Sequence, residues 1–297
     1  MPPPVSAPPR PPGGSQTPGP SGPPGRGQPW GAGQQPSGTG QQPWGPDEPA
    51  PSAPPGRPRP SALDATLLPL WILGGQLLAG IAILPGLLFA EDPEGTAQLL
   101  IAVSAVLGWL AVVVGTVLWL RYRRAWHRSW LVGHRPRSGW LAGLIGAGGA
   151  VGGFVVVQLV VGLLTWMTGA EPPEQEIFEL LDDPLIGWVL GLIAVFVAPV
   201  VEEVVFRGVM LDVMARRWSW AVAAIAQAAV FSAIHIETLV SPPMFLALGL
   251  LGYLFAWLRR WTGSLIAPIV GHLVFNAISL GLATLAPETP TAGLLWP

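Results

Sequence analysis

An otherwise apolar run at 185–213 is interrupted by Glu202, Glu203 and Arg207. His235 follows Phe231 by four residues, and His272 precedes Asn276 by four, each again within apolar sequence. If these runs cross a membrane, each charge costs about 2.5–3.5 kcal/mol on insertion scales, so the three charges demand polar groups opposite them. Glu203 and Arg207 stand at i,i+4 with the acid first, the favourable order for a pair on one helix face. Glu202 projects about 100° away and has no charge partner on its own helix. His272 and Asn276 are one turn apart and share a face. A carboxylate and an imidazole sharing a water can polarise it and accept its proton. A second imidazole and an amide N–H can donate to the oxyanion of a tetrahedral intermediate. Taken singly, either His reads equally well as a bridge between helices, and Asn276 as packing glue. The joint pattern is what points to chemistry.

The elements that must position these residues are membrane helices. The 297-residue chain is 51% hydrophobic and only 11% charged, against about 25% charged for an ordinary soluble domain. From Leu67 onward, apolar runs near 20 residues recur, the length that crosses roughly 30 Å of hydrocarbon. The expected fold is an all-α, polytopic transmembrane helical bundle of about seven spans, at 67–90, 96–120, 140–167, 185–213, 218–236, 243–258 and 262–285. Pro199 and the Pro242/Pro243 pair are places where a helix could be split. Gly148/Gly152 and Gly149/Gly153, at four-residue spacing, predict close helix packing in the third span.

Arg121, Arg123, Arg124, Arg128, Arg135 and Arg137 fill the second loop, Arg216 and Arg217 the fourth, and Arg259 and Arg260 the sixth; the alternate loops are acidic. The Arg-rich loops are therefore expected in the cytoplasm, with the N-terminal tail on the same side, in a multi-pass protein of the cell membrane. Residues 1–62 are dominated by Pro, Gly, Ser and Gln and are expected to be a disordered cytoplasmic tail preceding a helical domain at 63–290. The tail holds two Gln-Pro-Trp-Gly elements, at 28–31 and 42–45, that could dock a cytoplasmic partner. There is no Cys, so disulfides, thiolate metal sites and a cysteine nucleophile are excluded. Every basic residue is Arg, so Schiff-base and Ser/Lys chemistry are excluded as well. Nucleic acid is not an expected partner.

The three motifs read Glu202-Glu203-Val-Val-Phe-Arg207, Phe231-Ser-Ala-Ile-His235 and His272-Leu-Val-Phe-Asn276. They resemble, without departure, those of the intramembrane family of CAAX-prenyl-protein proteases and bacteriocin-processing enzymes, over about residues 185–285. The resemblance implies a peptidase that cuts a membrane-associated or prenylated-type protein or peptide within or next to the bilayer. It implies that Glu202 and His235 activate water, that His272 and Asn276 hold the oxyanion, and that Glu203 and Arg207 support them. Family members are often labelled metalloproteases, and Glu202, His235 and His272 form a plausible zinc ligand set. The His-Glu-x-x-His signature of helical zinc proteases is missing, so both a zinc and a metal-free glutamate mechanism stay open. A serine alternative rests on Ser264 after Gly263, at the predicted cytoplasmic edge, and an aspartyl one on Asp212, near a helix end with no second intramembrane Asp to form the dyad. The reading from another class is a non-catalytic scaffold or a proton-coupled transporter, for which the internal repeats of transporters are not evident.

Overall fold

A computed structural model of the chain describes residues 60–88, 93–123, 139–169, 184–235 and 241–285. The expectations for the Pro/Gly-rich tail, its Gln-Pro-Trp-Gly elements, the Arg-rich stretch at 124–138 and the acidic loops fall outside these residues. Among the described residues every regular element is a helix. They are α1 (Ala62–Leu88), α2 (Pro93–Tyr122), α3 (Gly139–Thr168), α4 (184–214), α5 (Trp220–Ile234), α6 (Pro242–Thr262) and α7 (Ile266–Leu285). Apolar helices are the natural outcome, because hydrocarbon offers no partner to a backbone group that its own helix leaves unpaired.

Six of the seven are long and apolar enough to cross a membrane. The exception is α5, whose 15 residues span about 22 Å at 1.5 Å per residue. Its start is set by Ser219, whose hydroxyl accepts from the Val222 N–H at 3.5 Å, and it stops at His235, whose ψ of 85° leaves the helical region. Neither suspected break splits a span. Pro242 and Pro243 open α6, where a missing N–H costs nothing. Pro199 lies inside α4, which stays helical by changing register: α-helical turns alternate with π-helical segments at Ile193–Val197 and Glu203–Met210.

The chain enters α1 through a reciprocal cap. Asp64 accepts from the Ser61 N–H at 2.6 Å and from the Ser61 hydroxyl at 2.8 Å. The other Asp64 oxygen accepts from Trp119 Nε1 at 2.9 Å and Arg123 Nε at 3.1 Å, which sets the antiparallel α1–α2 pair. Helix α1 packs on the π segment Glu203–Met210, and Leu68, Ile72, Val112, Val205, Phe206 and Phe231 form one core there. Antiparallel to α5 runs α6, tied by Ser232 Oγ donating to the Phe245 carbonyl at 2.7 Å.

Glycines set how closely the remaining helices approach. Gly149 and Gly153 lie against Leu258 and Leu254 of α6, as their spacing predicts, whereas Gly148 and Gly152 face open space. The tightest contact involves Gly146, where an added Cβ would fall on the Ala267 carbonyl of α7. Gly271, one residue before His272, rests on the Gly146 carbonyl in turn. The level of His272 in the bundle thus depends on two bare α-carbons. Gly146→Ala is expected to destabilise the protein by about 1–3 kcal/mol, because backbone must move, while Gly148→Ala leaves it unchanged; thermal unfolding in detergent measures both.

Candidate active site

Helices α4, α5, α6 and α7 converge on Arg207, which is fully buried together with Glu203. Arg207 Nη1 donates to Glu203 Oε1 at 2.7 Å, the i,i+4 pair expected from spacing. Its Nη2 donates to the Gly252 carbonyl of α6 at 3.1 Å. The guanidinium lies 4.4 Å from the Phe231 ring centroid, 5.4 Å from Phe255 and 5.9 Å from Phe206. These ring faces supply negative potential to a cation that water does not reach. A Cβ on Gly252 would meet Ala228 at 3.1 Å and Arg207 Nη2 at 3.3 Å, so the bare glycine is what lets α5 and α6 close around the guanidinium.

Glu203 Oε1 also lies 3.0 Å from His272 Nδ1. A carboxylate oxygen paired with Arg can only accept, so Nδ1 carries the proton and Nε2 is turned away from Glu203. That Nε2 stands 3.9 Å from Glu202 Oε2. A single water in hydrogen-bond contact with both atoms, about 2.8 Å from each, fits such a separation with an angle near 90°. The sequence left Glu202 without a charge partner; the fold gives it His272. Arg207 pairs with one of the two carboxylates, Glu203, and the other, Glu202, faces the imidazole.

His235 sits at the end of α5. Its Nδ1 lies 2.9 Å from the Phe231 carbonyl, which must accept, so this contact assigns the proton to Nδ1 and the lone pair of the neutral ring to Nε2. Its ring packs edge-on against Phe231, with centroids 5.0 Å apart, and the His272 ring flanks the same phenyl at 5.9 Å. Phe231 of the second motif is thus a spacer between the two imidazoles and a floor for Arg207.

Asn276 is explained by Pro199. In the π register the Ala198 N–H reaches back to the Ile193 carbonyl. The next carbonyl, that of Ala194, would be served by residue 199, and proline has no N–H. Asn276 Nδ2 fills the vacancy, donating to Ala194 O at 2.9 Å. One of its two amide hydrogens is spent on that bond and the other remains for a second acceptor. π segments inside α-helices occur frequently at functional sites, and this one is held open by a side chain of the third motif.

The residues behind the rival proteolytic readings have structural roles. Asp212 pairs with Arg259 at 3.2 Å, and the Ser264 hydroxyl accepts from the Ile266 N–H at 3.1 Å at the start of α7. Motif reading missed Gly252 and Gln227. The latter is a fully buried amide on α5 whose Nε2 donates to the same Gly252 carbonyl at 3.3 Å. An uncharged amide four residues before Phe231 in an apolar helix was the available signal.

Residues 184–278 match the model of a family described as type II CAAX prenyl endopeptidase Rce1-like. The matched stretch contains all three motifs and agrees with the resemblance drawn from them. No curated protein and no solved structure matches the chain. The apolar helices and this match together make the chain an integral, multi-pass membrane protein. Asn276→Ala should cost about 1–3 kcal/mol by orphaning the Ala194 carbonyl, and Pro199→Ala in the same background should recover most of it by restoring a backbone donor. Thermal unfolding of the single and double variants checks this.

Proposed function

We propose that this chain hydrolyses, within or next to the membrane, a peptide bond of a membrane-associated protein or peptide of the prenylated CAAX type; the match of residues 184–278 to the type II CAAX prenyl endopeptidase Rce1-like family supports the reading. The observation that carries the reading is the anchoring of His272: Nδ1 is held by Glu203 at 3.0 Å, and Nε2 faces Glu202 across 3.9 Å. Glu202 is the base. It takes a proton from a water shared with His235 as the water oxygen attacks the scissile carbonyl carbon. In the reacting state His272 is the imidazolium, having taken one proton from water at Nε2; its Nδ1–H stays on Glu203 and its Nε2–H donates to the developing oxyanion, together with the second Nδ2 hydrogen of Asn276. Collapse of the intermediate breaks the C–N bond, and the proton held by Glu202 passes to the leaving amine. Glu203 and Arg207 take no part in bond making; they keep His272 aimed. The Arg-bearing ends at Arg216, Arg217, Arg259 and Arg260 are assigned to the cytoplasmic side of the cell membrane by charge bias.

No step is routed through zinc. Among the described residues, no three of His, Asp and Glu gather at a spacing that holds a metal ion, and Glu203 is already shared between Arg207 and His272. Elemental analysis with chelation and zinc add-back tests this directly. Full cleavage at sub-stoichiometric metal is expected. Activity lost on chelation and restored by zinc would instead make Glu202, His235 and His272 ligands.

The catalytic assignment is tested with purified protein and a labelled library of membrane-associated peptides that includes prenylated C-termini. Glu202→Ala and His235→Ala should each lower turnover by about 10²–10⁴-fold, with the fold preserved. Undiminished cleavage by both variants would remove the assigned site and leave the cluster a scaffolding or proton-relay role.

A further inference from the structure

Helix α7 presents His272, Asn276, Ser279 and Ala283 as one buried stripe, at offsets that keep all four within about 60° of each other around the axis. The stripe faces α4, where Asn276 reaches Ala194 and Leu280 lies against Gly191. Two of its polar atoms have no hydrogen-bond partner among the described residues: Asn276 Oδ1 and Ser279 Oγ. Asn276 is 6% exposed and Ser279 fully buried, so neither can turn to solvent.

Four threonine hydroxyls avoid that cost locally, whereas Thr116 Oγ1 on α2 is, like Ser279 Oγ, buried without a partner among the described residues. Thr66, Thr168, Thr262 and Thr284 each donate to the carbonyl four residues back, at 3.0, 2.7, 2.8 and 3.1 Å. Thr284 does so on α7 itself. Ser279 makes no such bond, so its proton is uncommitted. One turn back along the same face stands an acceptor in the same condition. A hydroxyl proton without an acceptor and an amide oxygen without a donor, at i and i+3, are complementary.

Resting on the catalytic reading above, we propose that Ser279 is a positioning residue for Asn276. The two atoms make no direct hydrogen bond in this structure; the Ser279 hydroxyl reaches Asn276 Oδ1 through one bridging water and so fixes which edge of the amide faces the reaction centre. The need is physical. An amide has two edges of nearly equal shape, and a flipped Asn276 would present its oxygen, not its N–H, to the oxyanion and repel it. Ala194 O holds the Nδ2 edge from one side; Ser279 holds the Oδ1 edge from the other. Ser279 lies one residue beyond the stretch matched to the family.

The test compares wild type, Ser279→Ala, Asn276→Ala and the double variant, by peptide cleavage and by thermal unfolding in detergent. Ser279→Ala should lower kcat about tenfold with KM changed by less than about twofold. In the Asn276→Ala background it should change kcat by less than about twofold, because its target is gone. Ser279→Thr keeps the hydroxyl and should retain at least about half the wild-type kcat. Wild-type kcat in Ser279→Ala, or the same loss with and without Asn276, overturns the proposal. So does a folded Ser279→Thr as slow as Ser279→Ala; if the threonine variant does not fold, the alanine cycle alone decides. Should Glu202→Ala leave cleavage intact, the catalytic reading fails on its own, and the melting temperatures of the same four proteins still decide the pair. Non-additive losses support the Ser279–Asn276 bridge, and additive losses refute it.

Discussion

A guanidinium in hydrocarbon is among the most expensive groups a helix can carry, and the Arg207–Glu203 pair is the constraint around which the described part of this protein is arranged. Breaking a buried pair by removing one partner costs about 3–5 kcal/mol, because the survivor is left charged and unpaired. Each neighbouring element contributes to avoiding that state. Helix α4 supplies Glu203, α5 the Phe231 face, α6 the Gly252 carbonyl and the Phe255 ring, and α7 the His272 ring nitrogen on the same carboxylate oxygen. The pair is therefore a hub: its geometry cannot change without moving four helices.

In the proposed reaction that hub aims His272 and takes no part in bond making. Because Glu203 Oε1 accepts from both Arg207 and His272, the imidazole tautomer and ring direction are set by a group that is itself immobilised. Glu202, the adjacent residue, points elsewhere because a helix turns about 100° per residue. Two neighbouring carboxylates thus take different tasks, one holding an imidazole from behind and one facing its far nitrogen across 3.9 Å. A second constraint comes from Pro199. A proline in a membrane helix leaves a carbonyl that water cannot serve. The register change at Ile193–Val197 moves that deficit to Ala194, where Asn276 meets it. Substituting the proline or the asparagine thus alters the other's surroundings.

Much of the candidate site was legible in the sequence, for a specific reason. The pairs Glu203/Arg207, Phe231/His235 and His272/Asn276 each lie one turn apart on a helix, so spacing alone places both members on one face. The Glu203–Arg207 ion pair and the Phe231–His235 contact follow from that periodicity. The bundle of apolar helices was legible too, since length and hydropathy are local properties. Two expectations were refined. The fifth apolar run forms a helix too short to cross a membrane, because Ser219 and His235 end it. Of the glycine pairs flagged for packing, only Gly149/Gly153 meets a neighbour, and the closest approach belongs to Gly146.

What the sequence determined by itself is the set of residue types and their grouping within each helix, because a fixed 3.6-residue period relates position to face. What only the tertiary structure decided is which groups meet across helices: His272 with both carboxylates, Arg207 with Gly252, Asn276 with Ala194. Those meetings depend on how far each helix is shifted along its axis. The shift is set by bare glycine α-carbons, by a proline's missing N–H and by a hydrocarbon environment that tolerates no unpaired polar group, none of which acts through sequence periodicity.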